Sequence, residues 1–210
     1  IELSKIEKLV VFIDDLDRCN PETIIETLEA IRLFLYAKNT VFILAADERL
    51  VKYAVTNKYP EIPGLYSNIS RDYLEKLIQF PIVVPPLGRV EVETYMKLLF
   101  VSKTSLATDN FEKIRQQALN RSPEDLFTVT LSIGDIEKVD ATSCKEVEEE
   151  IVLCEFLAPI LSTGLDGNPR QIKRFLNTLL FRQSMANAKG ISLATRVLAK
   201  LMLLEYLKPT

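Results

Sequence analysis

Residues 9–21 read Leu9-Val10-Val11-Phe12-Ile13-Asp14-Asp15-Leu16-Asp17-Arg18-Cys19-Asn20-Pro21, and no other stretch restricts the fold so tightly. Five consecutive apolar residues without alternation predict a strand buried on both faces, the kind found inside a parallel sheet. Three carboxylates and an arginine follow within five residues, where that strand leaves the sheet. Ligand sites of open α/β sheets lie beyond the carboxyl ends of their strands. The charge gathered there marks a candidate site, weighed against a solvated acidic loop after a strand.

The next residues supply a helix start. Asn20 can cap free N–H groups, Pro21 suits the first helical position, and Glu22 favours the positive end of the helix dipole. Ile24, Leu28, Ile31 and Leu35 recur at helical spacing and give one apolar face. Val41-Phe42-Ile43-Leu44-Ala45-Ala46 reads as a second buried strand, again ending in an acid, Asp47. Strand, helix and strand make a βαβ unit with parallel strands. Helices are expected over residues 48–57 and 70–79, separated by a Pro/Gly loop from Tyr59 to Gly64. Phe80-Pro81-Ile82-Val83-Val84 reads as a third strand, stopped by Pro85-Pro86.

Beyond Gly88 strands nearly vanish. Helices are expected over 90–102, 111–120, 146–161, 169–188 and 192–207, with a capped start at Ser122-Pro123-Glu124-Asp125. Phe127 to Ile133 alternates in part and reads as a short strand or a loop. Residues 134–143 are weakly patterned and expected at the surface. The fold class is therefore α/β, a partial parallel-sheet core over residues 1–88 followed by an all-helical domain over 89–210.

Composition narrows the chemistry. The 210 residues contain no histidine, which excludes His-based triads, His general bases and His metal ligands. Cys19, Cys144 and Cys154 are scattered without a C-x-x-C, a pattern of reduced thiols in a cytoplasmic protein. The net charge of −3 argues against a generally basic nucleic-acid surface. No apolar run approaches the ~18 residues needed to span a bilayer. The chain opens without Met and reaches a core strand by Leu9, which predicts the later part of a longer protein or a trimmed one.

An apolar strand ending in two acids is the Walker B arrangement of P-loop NTPases, where the first acid holds Mg²⁺ and the second orients the attacking water. Four blocks carry a more specific resemblance: L-V-V-F-I-D-D-L-D-R-C, F-I-L-A-A-D, Y-L-E-K-L-I-Q-F-P-I-V-V-P-P and G-N-P-R-Q-I-K-R-F-L-N. In this order they resemble the KAP family of P-loop NTPases, relatives of the AAA+ and STAND groups, over residues 5–185.

The resemblance implies roles for positions of this chain. Asp14 is the Mg²⁺-side acid and Asp15 the water-orienting acid, in a place where many relatives use the longer Glu. Arg18 pairs with Asp17, reaches nucleotide or a neighbouring subunit, or is a structural ion pair. Asp47 stands where AAA-like proteins sense the γ-phosphate or water, and is expected to orient a water or a neighbouring Lys. Arg71 and Lys76 lie where AAA+ proteins carry an arginine finger, or are ordinary helix-surface charges. Gly167-Asn168-Pro169-Arg170 resembles the sensor 2 start of a helical lid, with Arg170 able to swing onto the γ-phosphate. Lys173 and Arg174 extend the same basic face.

The resemblance thus implies ATP and Mg²⁺ as cofactors and hydrolysis coupled to a conformational or assembly switch. Partners would be nucleotide, further copies associating through the core, and an unidentified protein. The setting would be the cytoplasm or the cytoplasmic face of a membrane. None of the glycines, Gly64, Gly88, Gly134, Gly164, Gly167 and Gly190, opens a G-x-x-x-x-G-K-S/T loop. The phosphate-cradling Walker A loop is therefore missing, and the chain alone is expected to be inactive. Two alternatives remain: a non-catalytic protein-interaction module on the same fold, or a nucleic-acid-binding helical domain using Lys173, Arg174, Arg182 and Lys189.

Overall fold

A computed structural model describes residues 7–34, 37–60, 69–104, 106–120, 122, 124–125 and 128–206. Leu35, residues 61–64 of the Pro/Gly loop, Pro123, Phe127 and Leu207, all given places above, lie outside the described residues. The chain divides into two compact units, Ile1–Val83 and Val84–Thr210.

The first unit holds strand β1 (Leu9–Ile13), a single 3₁₀ turn (Leu16–Arg18), α1 (Pro21–Phe34), β2 (Thr40–Leu44), α2 (Glu48–Lys58) and α3 (Ile69–Leu77). Strands β1 and β2 pair in parallel, with Leu9 opposite Thr40 and Ile13 opposite Leu44. Asn20 caps α1 as its sequence position predicts: its Oδ1 accepts the Thr23 N–H at 2.8 Å. Ile24, Ile25 and Leu28 of α1, Val51, Ala54 and Val55 of α2, and Leu77 of α3 form the core of this unit, with Leu44 packed against it.

Two expectations fail here. The strands are not buried on both faces. Val11, Ile13, Phe42 and Leu44 are half-buried, while Val10, Phe12, Val41 and Ile43 are exposed, Phe12 by 73%. The five-residue apolar runs promise two covered faces, and the described helices cover one. The third strand also fails to form. Residues 80–84 are without regular structure, and Phe80, Ile82, Val83 and Val84 are each exposed by more than 80%. A strand exists only through ladder hydrogen bonds to a neighbour, and the sheet of the described residues contains β1 and β2 alone.

The second unit is helical: α4 (Arg89–Val101), α5 (Thr108–Leu119), α6 (Ile133–Glu137), α7 (Ala141–Gly164), α8 (Pro169–Ala188) and α9 (Thr195–Tyr206). Its core runs through Val92, Met96 and Phe100 of α4, Ile151, Leu157 and Leu161 of α7, Phe175 and Leu179 of α8, and Met202 of α9. Residues 128–132 form no strand, and the stretch expected to be unpatterned surface contains α6 and the first turn of α7. The reason is local. Ser132 accepts the Asp135 N–H at 3.2 Å and Asp135 accepts the Ser132 N–H at 3.1 Å, a reciprocal box that starts a helix without an apolar stripe.

Lys97 of α4 is the unexpected core residue, 1% exposed on the face shared with Met96 and Phe100. Its ammonium lies 2.8 Å from Glu93, 3.1 Å from Glu155 and 2.9 Å from the Leu131 carbonyl. Three oxygens replace the water that burial removes, which is the condition for keeping a charge inside.

Candidate functional site

In the first unit acids follow the carboxyl ends of both parallel strands. The Ala45 N–H donates to the Ile13 carbonyl at 2.8 Å, so the parallel ladder runs to the last residue of β1. Asp14-Asp15 follows β1, and Asp47 stands three residues beyond β2. Leu16, 4% exposed, anchors the acidic loop to the core. With that side chain buried, Asp14 and Asp15 on its N-terminal side and Arg18 beyond it remain exposed.

The loop is bent. Asp15 has φ 57° and ψ 25°, the left-handed conformation that side-chain-bearing residues seldom adopt and that Asp tolerates better than most. Its N–H is taken by Asp14 Oδ1 at 2.8 Å. Its carboxylate meets the Arg18 guanidinium at 2.9 Å, both groups more than half exposed. Arg18 thus pairs with Asp15, rather than with Asp17.

Asp47 caps α2, its Oδ1 accepting the Arg49 N–H at 2.9 Å. The Arg49 side chain then grips the same carboxylate in a fork, Nε to Oδ1 at 3.0 Å and Nη2 to Oδ2 at 2.6 Å. These bonds, the side-chain pair first, hold the Asp47 carboxyl down at about 2. The cation beside Asp47 is Arg49; the expectation was a water or a neighbouring Lys. Arg49 was not among the sequence candidates, although an Arg two residues after a capping Asp is the available signal.

Arg71 pairs with Glu75 one turn along α3, Nε to Oε1 at 2.7 Å, both side chains mostly exposed. Lys76 lies in the last turn of the same helix.

In the second unit Asn168 caps α8, with its Oδ1 accepting the Arg170 N–H at 3.0 Å and the Gln171 N–H at 3.3 Å. Pro169 occupies the first turn. Arg170, Lys173 and Arg174 come together on the exposed face of α8, and no carboxylate of the described residues lies in ion-pair range of them. With Asn177, Thr178 and Phe181 they line a shallow cavity of about 400 Å³. Ile172, Phe175, Leu176 and Leu179 face the core, with Leu180 half-buried.

Among the described residues no three carboxylates or thiols converge on one point. An all-protein cage is therefore not what Asp14 offers. Mg²⁺ in phosphate sites keeps several waters and takes only one or two carboxylates, the phosphates supplying the rest, so an exposed acid such as Asp14 could hold it.

In comparison with protein-family models, the model described as the KAP family P-loop domain matches residues 2–186. Neither the curated proteins nor the solved structures yield a match. No helix of the described residues is long and apolar enough to cross a membrane.

Proposed function

Because the chain belongs to the KAP family of P-loop NTPases, we propose that it carries the metal-side and water-side elements of an ATP-hydrolysing site whose turnover drives a conformational or assembly switch. The supporting observation is that Asp14 and Asp15 follow the carboxyl end of a parallel strand, and that its parallel neighbour leads three residues on to Asp47. Bound Mg²⁺ would neutralise charge on the phosphates.

Each residue has a task its geometry allows. Asp14, exposed at the strand end, holds the metal directly or through a water. Asp15 orients the attacking water and takes its proton. The left-handed backbone and the Arg18 contact fix where its short side chain points. Asp47, held ionised by Arg49, orients water next to it. Arg170, at the capped start of α8, offers a planar donor to the charge that develops on the γ-phosphate. Lys173 and Arg174 add to the same cationic face. Arg18, Lys76 and Arg71 are the remaining candidates for nucleotide contact, Arg71 only if it leaves Glu75.

No glycine of the chain opens a phosphate-cradling loop. Without those N–H donors and their lysine, ATP has little to hold it here, so the 210-residue chain alone should release no phosphate from Mg-ATP above a buffer blank. Turnover above that blank, lost in Asp14→Ala, would overturn this part of the reading. In a polypeptide extended to include the loop, Arg170→Ala should slow hydrolysis more than it weakens ADP binding.

A second reading, a non-catalytic interaction module, draws on the exposed apolar side chains of Val10, Phe12, Val41 and Ile43. It predicts partner capture that is indifferent to Asp14→Ala and to nucleotide. The two readings therefore separate on one variant.

A further inference from the structure

The start of α8 is held from outside its own helix. Helix α7 ends in a tight reversal: the Gly167 N–H reaches the Ser162 carbonyl at 2.9 Å, and Asp166 (φ 50°) and Gly167 (φ 57°) are both left-handed. This closes α7 with a Schellman-type turn and leaves Asn168 free to cap α8 one residue later. The Gly167 carbonyl then accepts the N–H of Leu87, at 3.0 Å. Gly167 is buried, and the two backbones touch so closely that a Cβ at position 167 would lie 2.2 Å from the Leu87 carbonyl oxygen and 2.8 Å from its nitrogen.

Leu87 belongs to a stiff segment. Pro85 and Pro86 fix their own φ and hold the preceding residues extended. On the other side, Gly88 opens α4: its N–H donates to Glu91 Oε2 at 2.7 Å and its carbonyl accepts the Val92 N–H at 2.8 Å. Leu87 itself packs partly buried against the helical core. One dipeptide therefore ties the beginning of α4 to the turn that begins α8.

We propose that Leu87 and Gly167 are positioning residues for Arg170. The backbone clamp between them sets the turn, the turn sets Asn168, and Asn168 sets the first helical residues of α8. A shift of the Pro85–Gly88 segment is then passed to the arginine three residues beyond Gly167. That the arginine acts on nucleotide rests on the function proposed above; the clamp does not.

Gly167→Asn is the telling variant, because Asn tolerates left-handed backbone but brings the Cβ that the contact excludes. Leu87→Pro removes the donor while leaving Gly167 intact. Amide exchange of the folded 210-residue chain should quicken by about tenfold or more at Leu87, Arg170 and Gln171 in Gly167→Asn, with α4 and α7 core amides within about twofold of the parent. Leu87→Pro, which has no amide at 87, should show the same change at Arg170 and Gln171. Unchanged exchange at Arg170 and Gln171 in either folded variant overturns the proposal. So does an even loss of protection across α4, α7 and α8, which would make the contact merely structural.

A double-mutant cycle supplies the second arm, in a polypeptide extended to include a phosphate loop. Gly167→Asn should lower kcat by about tenfold in the parent and by less than about twofold in an Arg170→Ala background. Additive losses overturn the positioning role. Hydrolysis that ignores Arg170→Ala altogether condemns the functional reading instead, and the exchange data still decide the clamp.

Discussion

Replacing Lys97 by Met isolates the energetics of the one buried cation described in the core. Met fills nearly the same volume, so little packing is lost, but it offers no donor to the oxygens at 2.8, 2.9 and 3.1 Å. Glu155 is 54% exposed and turns to water at little cost. Glu93 is 8% exposed and cannot, and the Leu131 carbonyl loses a charged donor. Removing one partner of a buried pair costs about 3–5 kcal/mol, mostly as the uncompensated charge left behind. With a denaturant slope of about 1–3 kcal/mol/M in urea, the unfolding midpoint should fall by 1 M or more. Far-UV circular dichroism is the readout, since most helical residues belong to this unit. The decisive comparison is Lys97→Met with Glu93→Leu, which removes both charges and should recover most of the loss. A single variant within about 1 kcal/mol of the parent, or a double variant no better than the single, would refute the argument.

Two smaller tests follow from the caps and ion pairs. The Asp47 carboxyl is held at about 2 against an ordinary 3.8, so its contribution to α2 is complete above pH 4 and fades as the pH falls through 2. Carboxyl NMR titration should show this, and Asp47→Asn should keep the cap while abolishing the pH step; a midpoint near 3.8 counts against the Arg49 fork. Glu112, bonded by Arg115 and Gln116, should titrate at about 2 in the same experiment. Asn168→Ala should cost about 1 kcal/mol and lower Tm by a few degrees, whereas Asn168→Asp keeps an acceptor and stays near the parent. Equal melting of all three proteins would show that the α8 cap carries no stability.

The elements legible in the sequence were those whose cause is local. Asn20-Pro21 and Asn168-Pro169 start helices through their own side chains, and β1 and β2 followed from unbroken apolar runs closed by acids. The acids at the strand ends and the basic face of α8 were likewise readable, because helical and strand periods fix which residues share a face. What failed depended on neighbours distant in sequence. Phe80–Val84 has every strand-forming residue but no paired strand, and apolar pattern alone cannot reveal a missing ladder. The burial of Lys97 depends on Leu131 and Glu155, 34 and 58 residues away, which no local pattern reveals. Arg49 was hidden differently: its task is set by a cap geometry that a strand-end reading of Asp47 did not consider.

The bare side of the β1–β2 sheet has a practical consequence for bench work. Dyes such as ANS report exposed apolar surface and are commonly read as a sign of lost side-chain packing. Here Phe12, Val10, Val41 and Ile43 present such surface while the chain is folded, and Phe80, Ile82, Val83 and Val84 add to it. Dye fluorescence at room temperature should accordingly be high in a sample with sharp, cooperative melting. A dye-based thermal shift would begin bright and rise little, hiding stabilisation by any added ligand. The absence of tryptophan removes the usual intrinsic alternative. Ligand screening on this protein is better followed by circular dichroism or amide exchange, which detect backbone order and are blind to greasy surface.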